Sequence, residues 1–343
     1  MFFYYMVTHK CNLTCQHCIR GSKRCVDMDF DAAKNGLEKI LTFDKNATLV
    51  ITGGEPTLYP HFINLAEYAI ERFREVIVTS NGTTDIFKKN IDALKSLHSK
   101  GLRLQFSLDG DEKAHDAMRG TGSWNKAMSN MDALSAKDIA LWVSTVVTHD
   151  NMVSIERLRN ELIRRKVQKW HVSQVLPFGC GKGLSAPTRA EWNALVDRLL
   201  DTVPMKLGIK KFFDFSGLEK LANEDIARMV GMAKKRKLMN CGSGTRKLYI
   251  YPDFSVSGCT CIHQLIFGYL NAQNLGDILS SPNAKAVRYY NLLEDSPCRK
   301  CRFMALCNGG CIGMSFHSTG QLGMGDCRCP YWQEISKDMR LVS

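Results

Sequence analysis

No stretch of about 18 or more consecutive apolar residues occurs in the chain, so nothing in it reads as a membrane-spanning helix. A secretory signal is also missing: Met1–Lys10 holds a short apolar run followed by polar residues, and fits a first strand instead. Internal repeats and low-complexity tracts are absent, and a hydrophobic content of 45% argues against disorder. The basic run Lys234–Lys237 has no interleaved aromatics, so it reads as a solvated helix end rather than a nucleic-acid patch. Without a signal, the fourteen cysteines do not read as a disulfide framework. Their C-x2-C and C-x3-C spacings point to metal or cluster ligation in the cytoplasm. The net charge of +12 implies a basic solvated surface, or attraction to an acidic partner such as a peptide leader or nucleic acid.

What is present is a regular alternation. The 343 residues fit one large domain and a smaller one. Strands are expected at Phe2–Thr8, Thr48–Thr52, Glu75–Ser80, Arg103–Leu108, Ala140–Thr148 and Lys169–Leu176. Amphipathic helices are expected at Phe30–Phe43, Pro60–Phe73, Thr84–His98, Trp124–Ala136 and Val153–Arg165, with more at Glu191–Thr202 and Gly217–Lys237. Six strand–helix units make an α/β chain with a parallel sheet, an open partial (β/α)6 TIM-like barrel. The expected domains are the barrel over 1–180, a helical bridge over 181–240 that opens on a Gly-rich turn, and a cysteine-rich domain over 241–343 holding nine of the fourteen cysteines.

The loops at the carboxyl ends of parallel strands build the active site in such folds. After strand one come Cys11, Cys15 and Cys18, spaced C-x3-C-x2-C with no fourth cysteine beside them. Iron–sulfur cubanes are normally held by four thiolates, so three leave one iron open for a small-molecule ligand. After strand two stand Gly53, Gly54, Glu55 and Pro56, a tetrad in which glycines let the backbone approach a ligand closely. Ser80 and Asn81 end strand three, Ser107 and Asp109 end strand four, and His115-Asp116-Ala117-Met118-Arg119 follows.

These motifs resemble the radical S-adenosylmethionine (radical SAM) superfamily. The resemblance implies one SAM-binding 4Fe-4S cluster on Cys11, Cys15 and Cys18. Its open iron chelates SAM, whose reductive cleavage gives a 5′-deoxyadenosyl radical that abstracts hydrogen. It further implies that His17 packs near the adenine and that Gly53, Gly54, Glu55 and Pro56 receive the SAM amino group. Ser80 and Asn81 would face the ribose, Ser107 and Asp109 the SAM rim, and the strand end at Leu176 the adenine, while Arg119 would pair a carboxylate of the cofactor through its planar fork. For Arg119 the plainer reading is a surface ion pair with Asp116; for Asn81-Gly82 it is an ordinary turn. Cys25 and Cys180 stand apart; such cysteines are mostly inert, although Cys180 is also a candidate hydrogen-atom donor to a substrate radical.

Cys298, Cys301, Cys307 and Cys311 give C-x2-C-x5-C-x3-C, with Cys241 and Cys259 upstream and Cys327 downstream. This pattern resembles the SPASM domain, a radical SAM extension that usually carries two auxiliary iron–sulfur clusters. The resemblance implies a nearer cluster on Cys241, Cys259 and Cys311, with Cys261 as fourth ligand. It implies a distal one on Cys298, Cys301, Cys307 and Cys327, with Cys329 spare or in the place of Cys327. Phe254 departs from the family, which usually has glycine after Pro-Asp in this hairpin. The other reading of the C-x2-C pair is a zinc ribbon, and with it a zinc-stabilised nucleic-acid-binding module.

The SPASM branch implies a peptide or protein substrate. The expected function is a ribosomal-peptide maturase, forming a C–C or thioether crosslink in a precursor peptide. Its electron donor would be a flavodoxin or ferredoxin. The chain begins ten residues before Cys11, so peptide recognition is expected from a separate protein, the basic surface or the barrel mouth. The alternatives are a sulfatase maturase, which usually has tyrosine at the place of His17, a peptide epimerase, and a small-molecule radical SAM dehydrogenase or decarboxylase.

Overall fold

The computed structural model describes residues 1–20, 26–209 and 241–340, with eleven residues between 211 and 228. Cys25 and the basic run Lys234–Lys237 lie outside the described residues, as does most of the helix expected at Gly217–Lys237. Two compact units are formed. The first joins Met1–Lys210 with Tyr249–Val256 and Tyr269–Gly276; the second joins Lys211–Leu248, Ser257–Gly268 and Asp277–Ser343.

In the first unit seven strands pair in parallel: β1 (Phe2–Met6), β2 (Thr48–Thr52), β3 (Glu75–Ser80), β4 (Leu102–Ser107), β5 (Leu141–Val147), β6 (Lys169–Gln174) and β7 (Lys206–Gly208). The six expected strands are all present. The seventh is three residues long, too short to leave a period in the sequence. Three more, β8 (Lys247–Ile250), β9 (Ser255–Ser257) and β10 (Ile266–Tyr269), extend the sheet in the order β10-β9-β8-β1-β2-β3-β4-β5-β6-β7.

The crossovers are α1 (Phe30–Phe43), α2 (Phe62–Ile70), α3 (Ile86–Lys89), α4 (Ile91–Ser99), α5 (Glu112–Arg119), α6 (Ser123–Ser135), α7 (Ile155–Arg164) and α8 (Arg189–Thr202). Asp29 caps α1 through Ala32 N at 2.9 Å. The helix expected over Thr84–His98 is two, split at Asn90, whose side chain returns to the Ile86 carbonyl at 3.3 Å. α5 was not expected; Asp111 caps it through Ala114 N at 3.1 Å.

One face of the sheet lies under the helices. Tyr5 Oη donates to Ala33 O of α1 at 2.9 Å, and Phe106 meets Phe87 of α3 edge-on at 4.8 Å. Phe3, Tyr5, Leu104, Phe106 and Trp170 are buried there, each contributing on the order of 1.5–3 kcal/mol. Along β4 and β5 the alternate residues Arg103, Gln105, Ser107, Trp142, Ser144 and Val146 face the other way and stay half-buried.

Phe254 sits at φ +63°, the left-handed region that favours glycine. Its ring is nonetheless buried, and its carbonyl accepts from Leu270 N at 2.8 Å. The turn keeps its shape, and buried ring area offsets the strain. Among the described residues no helix is long and apolar enough to cross a membrane.

Candidate active site

Cys11, Cys15 and Cys18 lie half-buried on the loop after β1. Its backbone is braced on several sides. Thr8 O accepts from Gly54 N and Lys10 O from Glu55 N, both at 2.7 Å; Gln16 N donates to Met118 O of α5 at 2.9 Å; Cys18 O accepts from Cys180 N at 2.9 Å. Asn12, between the cysteines, donates to Thr83 Oγ1 at 2.8 Å and accepts from Asn81 Nδ2 at 2.9 Å. Neither Asn12 nor Thr83 is expected from the sequence, since a lone Asn or Thr in a loop has no spacing to read.

The glycines of the second loop are needed because the chain's own backbone comes close. A Cβ on Gly54 would lie 2.2 Å from Lys10 O and 2.6 Å from His9 O, and one on Gly53 would lie 2.6 Å from Thr8 O. The close approach is therefore to the cysteine loop itself. Gly54→Ala is expected to shift that loop at a cost of roughly 1–3 kcal/mol. Thermal unfolding of the cluster-free protein measures it; an unchanged midpoint would contradict this packing. Gly179, in the Gly-rich turn expected to start a bridge, has φ +58°, and its Cβ would meet Cys18 O and Ile19 O at 2.4 Å. That turn packs on the cysteine loop.

Glu55 is fully buried. Its Oε1 accepts from Thr57 N, Thr57 Oγ1 and Ser80 Oγ at 3.1, 2.6 and 2.7 Å, and its Oε2 from Asn81 N at 2.7 Å. Burial pushes its carboxyl above the usual carboxylate range, and these four donors offset only part of that rise. The side chain thus ties the loop after β2 to the loop after β3, with Pro56 starting a short 3-10 turn. Ser80 and Asn81 are both buried within this tie.

Asp109 is fully buried at the end of β4. Its Oδ2 accepts from Arg119 Nε and meets His17 Nε2, each at 2.7 Å, and its Oδ1 accepts from Val146 N at 2.8 Å. Burial alone would push the carboxyl up, but the Arg119 and His17 charges outweigh it and hold it well below the usual carboxylate range. Arg119 Nη1 reaches Cys15 Sγ at 3.9 Å. The ion pair with Asp116 is replaced by this buried one; Asp116 instead caps α6, accepting from Gly122 N at 2.6 Å and Trp124 N at 2.8 Å. Asp109 N donates to His115 Nδ1 at 3.2 Å, which requires a neutral ring, and burial followed by Arg119 pushes His115 down to about 4.

Ser107 is half-buried at the strand end, and Leu176 O accepts from Phe178 N at 2.8 Å. Cys180 is exposed, its backbone on the cysteine loop.

The three thiols feel one another. Burial pushes Cys15 up, Arg119 pulls it down, and Cys11 and Cys18 push it up again. A cationic cluster among them relieves that repulsion, so the set fits a three-thiolate cubane. His17 Nδ1, buried and unpartnered among the described residues, is a hydrogen-bonding atom left for a ligand.

In the second unit the thiols fall into two groups. Cys261 is pushed up by Cys259, with which it hydrogen-bonds, by burial, and by Cys311 and Cys241. A Cβ on Gly313 would lie 3.7 Å from the Sγ atoms of both Cys261 and Cys311. Cys298 is pushed up to about 12 by burial, then by Cys307, Cys329 and Cys301. These four line one small cavity with Phe215 and Tyr331. The structure brings Cys329, not Cys327, to Cys298, Cys301 and Cys307. Cys327 stands beside Arg328, which Asp326 holds at 2.7 Å. Among the described residues no three His, Cys, Asp or Glu side chains are grouped to hold a single metal ion.

Comparison with known proteins agrees with this chemistry. A model of the radical SAM superfamily matches residues 5–162, and one of an iron–sulfur cluster-binding domain, SPASM, matches residues 241–302. The chain is 26% identical to the subtilosin biosynthesis protein AlbA of Bacillus subtilis over 89% of its own length and 65% of that protein's. It is 26% identical to the mycofactocin maturase MftC of Mycolicibacterium smegmatis (94% of this chain, 81% of MftC). It is 23% identical to the AdoMet-dependent heme synthase of Nitratidesulfovibrio vulgaris (95% and 90%). The crystal structure of Streptococcus suis SuiB bound to S-adenosylmethionine shares the fold, with TM-score 0.78 and 17% identity over 96% of this chain and 77% of SuiB. With its three-thiol loop, its parallel sheet and its cysteine-rich second unit, the chain belongs to the SPASM-domain branch of the radical SAM superfamily.

Proposed function

We propose that the protein is a radical SAM peptide maturase that abstracts hydrogen from a residue of a ribosomally made precursor peptide, on the way to a C–C or thioether crosslink. The braced three-cysteine loop carries the radical SAM part of this reading, and the relation to AlbA and MftC carries the peptide part. When bound, the cluster and SAM supply reductive cleavage and a 5′-deoxyadenosyl radical. Cys11, Cys15 and Cys18 hold the cluster, and Arg119 places a positive charge beside Cys15. His17 Nδ1 and the backbone of Gly53–Glu55 receive SAM, while Glu55, Ser80 and Asn81 hold those loops in place. Cys241, Cys259, Cys261 and Cys311 hold one auxiliary cluster; Cys298, Cys301, Cys307 and Cys329 hold the other. A flavodoxin or ferredoxin supplies the electron, and the protein works in the cytoplasm, a reading supported by cysteine spacings that suit cluster ligation better than disulfides.

A second reading, chemistry on a small molecule, is favoured by the likeness to the heme synthase. Co-expression with the short peptide encoded nearest the gene separates the two. The maturase reading expects a mass change in that peptide; deoxyadenosine formed with the peptide unchanged counts against it. For the ligand assignment, Cys329→Ala is expected to lose about four irons after reconstitution and Cys327→Ala almost none. The reverse pattern would return the distal site to Cys327.

A further inference from the structure

Asp326 stands against both thiol groups of the second unit, only 1% exposed, and the mechanism above does not use it. Its backbone joins the two groups. Asp326 N donates to Gly309 O at 2.9 Å, on the turn between Cys307 and Cys311, and Asp326 O accepts from Cys329 N at 3.0 Å. Its side chain lines the small cavity of Cys298, Cys301, Cys307 and Cys329, and also reaches the other group. There Oδ2 accepts from Cys311 N at 3.4 Å and from Arg328 Nη2 at 2.7 Å. Oδ1 accepts from Arg328 Nε at 3.0 Å and from Arg328 N at 3.1 Å. A Cβ on Gly310, which has φ +77°, would lie 2.9 Å from Asp326 Cβ, so glycine lets the carboxylate come up against this turn.

Bracing alone does not account for the charge. Cys311 N needs only an acceptor, and a neutral amide oxygen would serve. A buried carboxylate beside thiols opposes their ionisation: after burial itself, Asp326 pushes Cys311 up, and Arg328 pulls it down. Cys329 is pushed up by burial, then by Cys301 and Asp326. Arg328, held by Asp326, lies within reach of Cys311 and Cys327. A buried ion pair adds little net stability, because desolvation offsets the attraction. What the pair does supply is one negative and one positive charge beside a ligand. Local charge and contacts behind the ligands are what tune the potential of an iron–sulfur cluster.

We propose that Asp326 and Arg328 set the reduction potential of the auxiliary cluster on Cys241, Cys259, Cys261 and Cys311, Asp326 lowering it and Arg328 raising it. Both act through Cys311 as positioning residues. A negative charge beside the cluster opposes the incoming electron, and a positive one favours it. Asp326 acts in the same sense, more weakly, on the cluster that uses Cys329. The inference rests on the ligand sets proposed above and deepens them.

The test is an EPR-monitored redox titration of the reconstituted, anaerobic holoenzyme with dithionite and mediators, for the wild type, Asp326→Asn and Arg328→Met. The signal of each auxiliary cluster is assigned by its loss in Cys311→Ala or in Cys329→Ala. Asp326→Asn is expected to raise the midpoint of the Cys311 cluster and, by less, that of the Cys329 cluster. Arg328→Met is expected to lower the midpoint of the Cys311 cluster. A merely structural pair would leave the midpoints unmoved or move them the same way in both variants. Either result, with iron still about twelve per chain, overturns the proposal. If Asp326→Asn loses iron, Arg328→Met decides alone: a lowered midpoint supports the proposal and an unmoved one overturns it. Wild-type iron of about four per chain would instead fail the auxiliary-cluster reading, and the proposal with it.

Discussion

Replacing Cys11, Cys15 and Cys18 together by alanine is expected to lower reconstituted iron from about twelve per chain to about eight, and to abolish SAM cleavage. The expectation follows from how the thiols are grouped. The three half-buried thiols sit on one loop of the first unit and feel one another and Arg119. The thiols of the second unit fall into two groups of four. Removing the first set therefore empties one site and spares two. Because backbone bonds tie the loop to Gly54, Glu55, Met118 and Cys180, the variant is expected to stay folded. Iron near four in the wild type, lost in the triple variant, would remove the auxiliary clusters from the account. Zinc in place of iron would overturn it.

Asp109→Asn is expected to destabilise the first unit by about 3–5 kcal/mol, because it leaves the buried Arg119 guanidinium without its countercharge. Urea unfolding of the cluster-free protein measures this. The double variant Asp109→Leu, Arg119→Met is expected to recover much of the loss, since it removes both buried charges. Equal destabilisation of the single and double variants would mean that shape, not charge, holds the site.

The same network predicts an acid transition in two windows. His115 is lowered to about 4 from an unfolded value of about 6.5, so the folded state binds fewer protons there. Its contribution, on the order of 3 kcal/mol, is full above about pH 6.5 and is lost as pH falls towards 4. Asp109 is lowered too, so its contribution is full above about pH 4 and goes as pH falls through its depressed native value. His115→Asn keeps an acceptor for Asp109 N and is expected to flatten the first window only.

The residues that a period or a spacing marks were legible in the sequence: six strands, most crossovers, the cysteine patterns and the loop order. What escaped it was set by tertiary contact. α5 has few apolar residues, and only its burial of His115 and Arg119 shows why it forms. Gly53 and Gly54 advertise a close approach, but not that the approaching backbone belongs to His9 and Lys10. Arg119 could pair with Asp116 or Asp109; burial and a 2.7 Å contact decide for Asp109. Cys327 and Cys329 are two residues apart, and the spacing could not say which of them turns toward Cys298.

The most direct test of the central claim is 5′-deoxyadenosine produced by the reconstituted wild-type enzyme with SAM and dithionite under anaerobic conditions, read by mass spectrometry beside the three-cysteine variant. The account predicts deoxyadenosine and methionine in equal amounts from the wild type and none from the variant. Intact SAM in both samples, with the wild type carrying its full iron, would contradict it.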